Sequence, residues 1–240
     1  MTVWFASDLH LDPSTPEIAE RFLRFLAGPV QGARSLFLLG DLFEAWIGDD
    51  DPEPAHRQVI AALAALSASG TLVYVMRGNR DFMLGERFCA DAGAVLLEDP
   101  AILTVEGEQF AISHGDGLCV DDRAYQKLRA LVRDPSLRAG FARLPIEARR
   151  RLAAEAREGS REHLANAAGY ITDVNPGAVA SVFRGAGVDL MIHGHTHRPG
   201  VHRLPLDGRE RTRVVLGAWH DAADVVRWDD AGWQLMPCPA

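Results

Sequence analysis

A chain of 240 residues makes one compact domain, or one core carrying an insertion, and buries enough surface to fold without disulfides or a structural metal. Lys and Arg total 25 against 33 Asp and Glu, and the net charge of −8 excludes a surface that grips nucleic acid as a whole. No apolar run approaches the roughly 18–20 residues of a membrane span, and 48% hydrophobic with 24% charged residues is the balance of a soluble globular protein.

The opening residues, Met1 to Asp8, carry no basic segment and meet a carboxylate at once, so no secretory signal is expected. Residues 3–7 form a short β run of largely apolar residues. Pro16, at the first helical position after Thr15, opens a helix whose apolar stripe is Ile18, Phe22, Leu23 and Leu26. A buried strand at 35–39, a helix at about 54–69 and a strand at 71–76 follow. This alternation of strand and helix is the pattern of α/β layers. Cys89, Cys119 and Cys238 are odd in number and too far apart for a CxxC motif, and read as reduced thiols in a cytoplasmic protein.

After a strand at 109–113 the chain changes character. Residues 121–184 read as continuous helix broken at Pro135, Pro145 and near Asn175 and Pro176. Arginines crowd it, among them Arg129, Arg133, Arg149, Arg150, Arg151 and Arg157, with Leu128, Leu131, Phe141, Leu144, Ile146 and Leu152 interleaved. A helical insertion sitting on the core is expected: a solvated cap, or a lid with an apolar and a basic side. Strands return at 188–192, 201–206, 212–216, 225–228 and 233–236, with spacing that suits antiparallel pairing.

Five segments carry the chemistry, each just after a predicted strand: Asp8 with His10; Gly40 with Asp41; Gly78, Asn79, Arg80 and Asp81; His114 with Asp116; and His193, His195 and His197. Ligands gather at the carboxyl ends of strands in α/β sheets. Any one motif alone reads as an ordinary turn, and His56, His163, His202 and His220 read that way too. All five in register with strand ends point to a metal site. Carboxylate, imidazole and amide oxygen without thiolate suit Mn, Fe or Zn. The seven candidate ligands, Asp8, His10, Asp41, Asn79, His114, His195 and His197, exceed what one ion takes. Two ions roughly 3.5–4 Å apart repel unless a carboxylate bridges them. Two carboxylates against two divalent ions leave a net positive site, which attracts a phosphate ester and lowers the pKa of a bound water.

These motifs, in this order, resemble those of the calcineurin-like metallophosphoesterases over essentially the whole chain. The resemblance implies an α/β fold of two facing β-sheets flanked by helices, with a helical insertion, over residues 1–240 as one domain with a lid at about 121–184. It implies that Asp8, His10, Asp41 and His197 hold one ion and that Asp41, Asn79, His114 and His195 hold the other, with Asp41 bridging. Two divalent metals are implied, manganese being the expected one.

More narrowly, the stretches 6–11, 39–51, 78–82, 114–116, 173–175, 192–199 and 215–220 are similar to the branch that acts on a UDP-linked diacylated glucosamine lipid in lipid A biosynthesis. That similarity implies a pyrophosphatase, in which a metal-activated hydroxide attacks the α-phosphorus. Many relatives carry His where this chain has Arg80. A His there can protonate an alkoxide leaving group, whereas a phosphate monoester, with a second pKa of about 6, leaves without that help. Arginine instead offers phosphate a bidentate fork. Arg80, Asp41 and His195 are the implied catalytic residues, and Asn79, Arg80, Asp122, Ser160 and His195 the implied substrate contacts, with Arg157 a further phosphate contact. Where members carry Asn and Lys after that serine, this chain has Leu164 and Ala167, with Asn166 as the nearby polar side chain. A monomer is expected, peripheral on the cytoplasmic face of the inner membrane and without a nucleic-acid partner. Two other readings are weighed. A nucleotide or cyclic-nucleotide phosphodiesterase is disfavoured by Arg80 and the apolar insertion. A catalytically silent relative is disfavoured because all seven ligand positions are filled.

Overall fold

In chain order the elements are β1 (Val3–Ala6), α1 (Pro16–Ala27), β2 (Ser35–Leu39), α2 (Pro54–Ala68), β3 (Leu72–Met76), α3 (Glu86–Ala92) and β4 (Ala94–Leu97). Then come β5 (Ala101–Val105), β6 (Glu108–Ser113), α4 (Arg123–Arg133), α5 (Pro135–Ala142), α6 (Ile146–Asn166) and α7 (Pro176–Ala186). The chain ends with β7 (Leu190–His193), β8 (Gly200–Leu206), β9 (Arg209–Val215), β10 (Asp224–Asp229) and β11 (Gly232–Pro237). This computed structural model describes residues 1–51, 53–166 and 171–239, the side chains of 163–166 excepted.

β1 and β2 are buried at every position, as strands covered on both faces must be. Alternation along them feeds two cores. Val3, Phe5, Phe37 and Leu39 point between the sheets, against Phe110, Ile112, Ile192 and Val214. Trp4, Ala6, Leu36 and Leu38 point the other way, against Phe22, Phe25, Leu63 and Phe88 of the helices. One sheet runs β11-β10-β1-β2-β3-β4 and the other β5-β6-β7-β9-β8. The α/β fold is therefore two facing sheets flanked by helices. On the outer face of the second sheet α7 buries Val179 and Phe183 against Ala111 and Met191. The Asn175 side chain caps α7 by accepting from the amides of Gly177 and Ala178, with Pro176 in the first turn.

The helical region differs from the expected continuous run over 121–184. Asp122 and Asp134 cap α4 and α5 separately, and Pro135 forces the break between them. α6 ends at Asn166, residues 171–175 are not helical, and α7 belongs to the core layer rather than to the cap. β7 also corrects the expected antiparallel pairing: it lies parallel to both β6 and β9. Spacing alone does not choose a strand's neighbour, and the helices between β6 and β7 form the long crossover that a parallel pair needs. Among the described residues no helix is long and apolar enough to cross a membrane.

Candidate metal centre

The strand ends of β1, β2, β3, β6 and β7 deliver all seven candidate ligands to one end of the two sheets. Asp8, His10, Asp41, His195 and His197 carry positive φ angles of 55°, 50°, 52°, 70° and 53°. Side chains other than glycine rarely adopt this region, and such strain collects at functional sites. The surrounding backbone holds it: the Asp8 amide donates to the Gly40 carbonyl at 3.1 Å, and the His10 amide to that of Asp41 at 3.0 Å. Glycine is required where these turns touch. A side chain at Gly78 would collide with Asp41, and one at Gly194 with Ser7 and Asp8.

Two groups of ligand atoms result, Asp8 with His10 and His197, and Asp41 with His114 and His195, each within 4.8 Å of one another. His10 and His197 face each other through their Nε2 atoms at 3.1 Å. The Asp8 Oδ1 lies 3.5 Å from the His197 Nε2. The Asp41 carboxylate looks both ways, its Oδ2 3.7 Å from the His10 Nε2 and its Oδ1 3.7 Å from the His114 Nε2. The Asn79 Oδ1 sits 3.0 Å from both the His114 Nε2 and the His195 Nδ1.

The remaining ring nitrogens fix the tautomers. The His10 Nδ1 meets the Glu44 Oε2 at 2.8 Å, and the His114 Nδ1 donates to the Leu39 carbonyl at 2.9 Å. Each Nε2 is then left with its lone pair toward the centre, the usual support of a metal-bound imidazole. Burial favours the neutral ring of His114, but the carboxylates of Asp41, Asp116, Asp8 and Asp99 outweigh it and raise its pKa to about 9. His10 is raised too: burial opposes its charge, while the Glu44 hydrogen bond and the Asp41 carboxylate favour it. Asp8 is lowered, because the neighbouring imidazoles of His197, His114 and His10 override its burial. His195 is pushed down to about 4 by burial and by the charge of His114. The centre thus holds carboxylate charge that draws in cations. The Asp8 Oδ1 is buried without a hydrogen bond, an acceptor that a divalent ion satisfies. The donors present fit a pair of divalent metals.

Arg80 lies at the rim. Its amide donates to the Asp41 Oδ1 at 2.8 Å, its Nη1 is 3.9 Å from the Glu44 Oε1, and its Nε is buried without a hydrogen bond. Asp122 is buried, and its carboxylate accepts from the Tyr125 amide at 2.9 Å. Arg157 reaches Asp12 at 3.7 Å. Leu164, Asn166 and Ala167, which bear on headgroup recognition, lie outside the described side chains.

The fold gives roles to several residues that had none assigned from the sequence, Asp81 and Asp116 of the motif segments among them. Glu44 falls within the similar stretch 39–51, yet only the fold reveals its contact with His10. Asp81 accepts from the amides of Gly78 and Leu42, both at 2.7 Å, and so ties the β2 and β3 turns together. Asp116 is buried under Tyr125, Arg129 and Arg133 of α4. The Tyr125 ring stacks on His195 with centroids 5.8 Å apart. His220 stands 5.4 Å from the His197 ring.

A cleft of about 210 Å³ over the centre is lined by His10, Asp41, His195, His197, Asp122 and Thr172. A cavity of about 360 Å³ lies beside it, walled by Trp46, Ile47, Phe82, Leu128, Leu131, Phe141 and Leu152. Asn79, Arg80, Tyr125 and Ser160 line both.

Residues 1–199 match the family model of the calcineurin-like phosphoesterases. The chain is 50% identical over 242 residues to the UDP-2,3-diacylglucosamine hydrolase of Stenotrophomonas maltophilia (strain K279a), covering 98% of each. A protein of that name in Escherichia coli O81 (strain ED1a) is 48% identical over 95% of both chains. Another, in Enterobacter sp. (strain 638), is 45% identical over the full length of both.

Proposed function

The chain belongs to the calcineurin-like phosphoesterase family, and from that premise we propose that it hydrolyses the pyrophosphate bond of UDP-2,3-diacylglucosamine to UMP and 2,3-diacylglucosamine 1-phosphate, a step of lipid A biosynthesis. The observation that carries this reading is the junction of two environments. A cleft over paired metal-ligand groups shares Asn79, Arg80, Tyr125 and Ser160 with an apolar cavity, as a substrate with a pyrophosphate at one end and acyl chains at the other requires.

Asp8, His10, Asp41 and His197 would hold one divalent ion, and Asp41, Asn79, His114 and His195 would hold the other, with manganese the expected metal. Bound there, the ions supply Lewis acidity and a water of lowered pKa. Glu44 and the Leu39 carbonyl keep His10 and His114 in the ligating tautomer. Arg80 places its fork on the phosphoryl oxygens, where its unpaired Nε finds an acceptor. Asp122, Ser160 and Arg157 face the glucosamine and its phosphate. The helices over 123–166 act as a lid, covering the acyl chains with Phe141 and Leu128 beside Phe82 of the turn after β3. The exposed Leu131, Leu137, Leu144 and Leu152, among arginines, meet the anionic face of the inner membrane.

In the reaction a water oxygen bonds to the α-phosphorus and the bond from that phosphorus to the bridging oxygen breaks, so the bridging oxygen leaves on the sugar phosphate. Hydrolysis in oxygen-18 water is expected to place the label in UMP, read by mass spectrometry. Label in the sugar phosphate contradicts attack at the α-phosphorus. Release of UDP contradicts pyrophosphate cleavage altogether.

A further inference from the structure

Arg149 lies on the arginine-rich α6, but unlike its exposed neighbours Arg150 and Arg151 it is only 2% exposed. All three nitrogens of its guanidinium donate. Nη1 donates to the Ile47 carbonyl at 2.9 Å and to the Asp50 Oδ1 at 2.7 Å, Nη2 to the Asp50 Oδ2 at 2.6 Å, and Nε to the Leu144 carbonyl at 3.0 Å. The receiving loop is shaped for it: Gly48 has φ of 141°, and a side chain there would collide with the guanidinium. That loop is also fixed to the core. Asp49 accepts from the Trp46 indole at 3.0 Å and from the amides of Gly85 and Phe88 at 3.0 and 3.1 Å. The cap is the looser partner, since α4 and α5 bury no residue fully.

The two elements that Arg149 joins both line the apolar cavity. Trp46 and Ile47 belong to the loop, and Leu152, Ala153 and Ala156 follow Arg149 on α6. We infer that Arg149 is a specificity-determining positioning residue: it pins α6 to the loop after β2 and so sets the width of the cavity that takes the acyl chains. It touches neither the metal ligands nor the phosphate subsite. The inference rests on the acylated-substrate reading above. α4 has its own anchor in Asp116, which binds Tyr125, Arg129 and Arg133, so loss of the pin loosens α6 without releasing the whole cap.

The test uses the full-length manganese-loaded protein with Arg149→Met, and with Asp50→Asn as the milder surface variant. Two substrates are compared, UDP-2,3-diacylglucosamine and the small soluble diester bis(p-nitrophenyl) phosphate. Trypsin cleavage within residues 123–166 is timed in parallel. The KM for the lipid is expected to rise about tenfold with charge-assisted hydrogen bonds lost. Turnover of the small diester is expected to stay at the wild-type level, and cleavage of the cap to accelerate. An unchanged lipid KM in both variants overturns the inference. So does a loss on the small diester equal to that on the lipid, because Arg149 would then support the fold at large. If the unaltered protein shows no preference for the lipid, the substrate reading fails instead. The pin is then decided by proteolysis alone: faster cleavage of the variants upholds it, and an unchanged rate overturns it.

Discussion

Asp41→Asn is expected to abolish loading of both metals and to lower turnover by about 10³-fold or more, the scale of losing metal-ion catalysis. Among the described residues Asp41 is the one carboxylate whose two oxygens face the two imidazole groups, at 3.7 Å on each side. Asparagine keeps the shape and can still accept from the Arg80 amide, but it cannot screen one divalent ion from the other. Elemental analysis and turnover check the two parts. A variant with full metal content and activity defeats the bridging role.

Arg80→Ala is expected to leave metal content intact and to lower turnover by about 10²-fold or more, as for removal of one preorganised donor to developing negative charge. The separation follows from the geometry. The main-chain amide of Arg80 braces the Asp41 Oδ1, and the substitution keeps it. Only the guanidinium is lost, and with it the fork that sits between the cleft and the apolar cavity. Arg80→Lys should recover part of the loss, because an ammonium restores charge but not the bidentate contact. Near-normal turnover of the alanine variant, with metal content verified, contradicts the assignment. So does loss of metal together with activity.

The parallel core of the fold was legible because β1, β2 and β3 are continuous apolar runs between turn residues. β4 and β5 were not, since they lie at the sheet edges and are only partly buried, and α3 is a helix of seven residues. The pairing of β7 was misread because a strand's spacing does not name its neighbours. The candidate ligands could be picked out in the sequence because each follows a strand end. Spacing did not divide them into two groups; the family resemblance implied that division. That depends on left-handed turns at Asp8, His10, Asp41, His195 and His197, which residue type alone does not predict. Glu44 and Arg149 escaped for a related reason. Their partners stand 34 and 102 residues away, and an isolated Glu or one arginine among many carries no local signature. The apolar cavity was foreshadowed by Phe141 and the leucines of the insertion. Its junction with the metal cleft at Tyr125 and Ser160 emerged only once the cap was folded over the strand ends.

The most direct measurement is UMP release by the manganese-loaded protein from UDP-2,3-diacylglucosamine beside unacylated UDP-N-acetylglucosamine. Strong preference for the acylated substrate, lost on chelation of the metal and restored by its return, is the expected result. Equal or reversed rates contradict the lipid substrate and the acyl-binding cavity, and leave a metal-dependent phosphoesterase of another specificity.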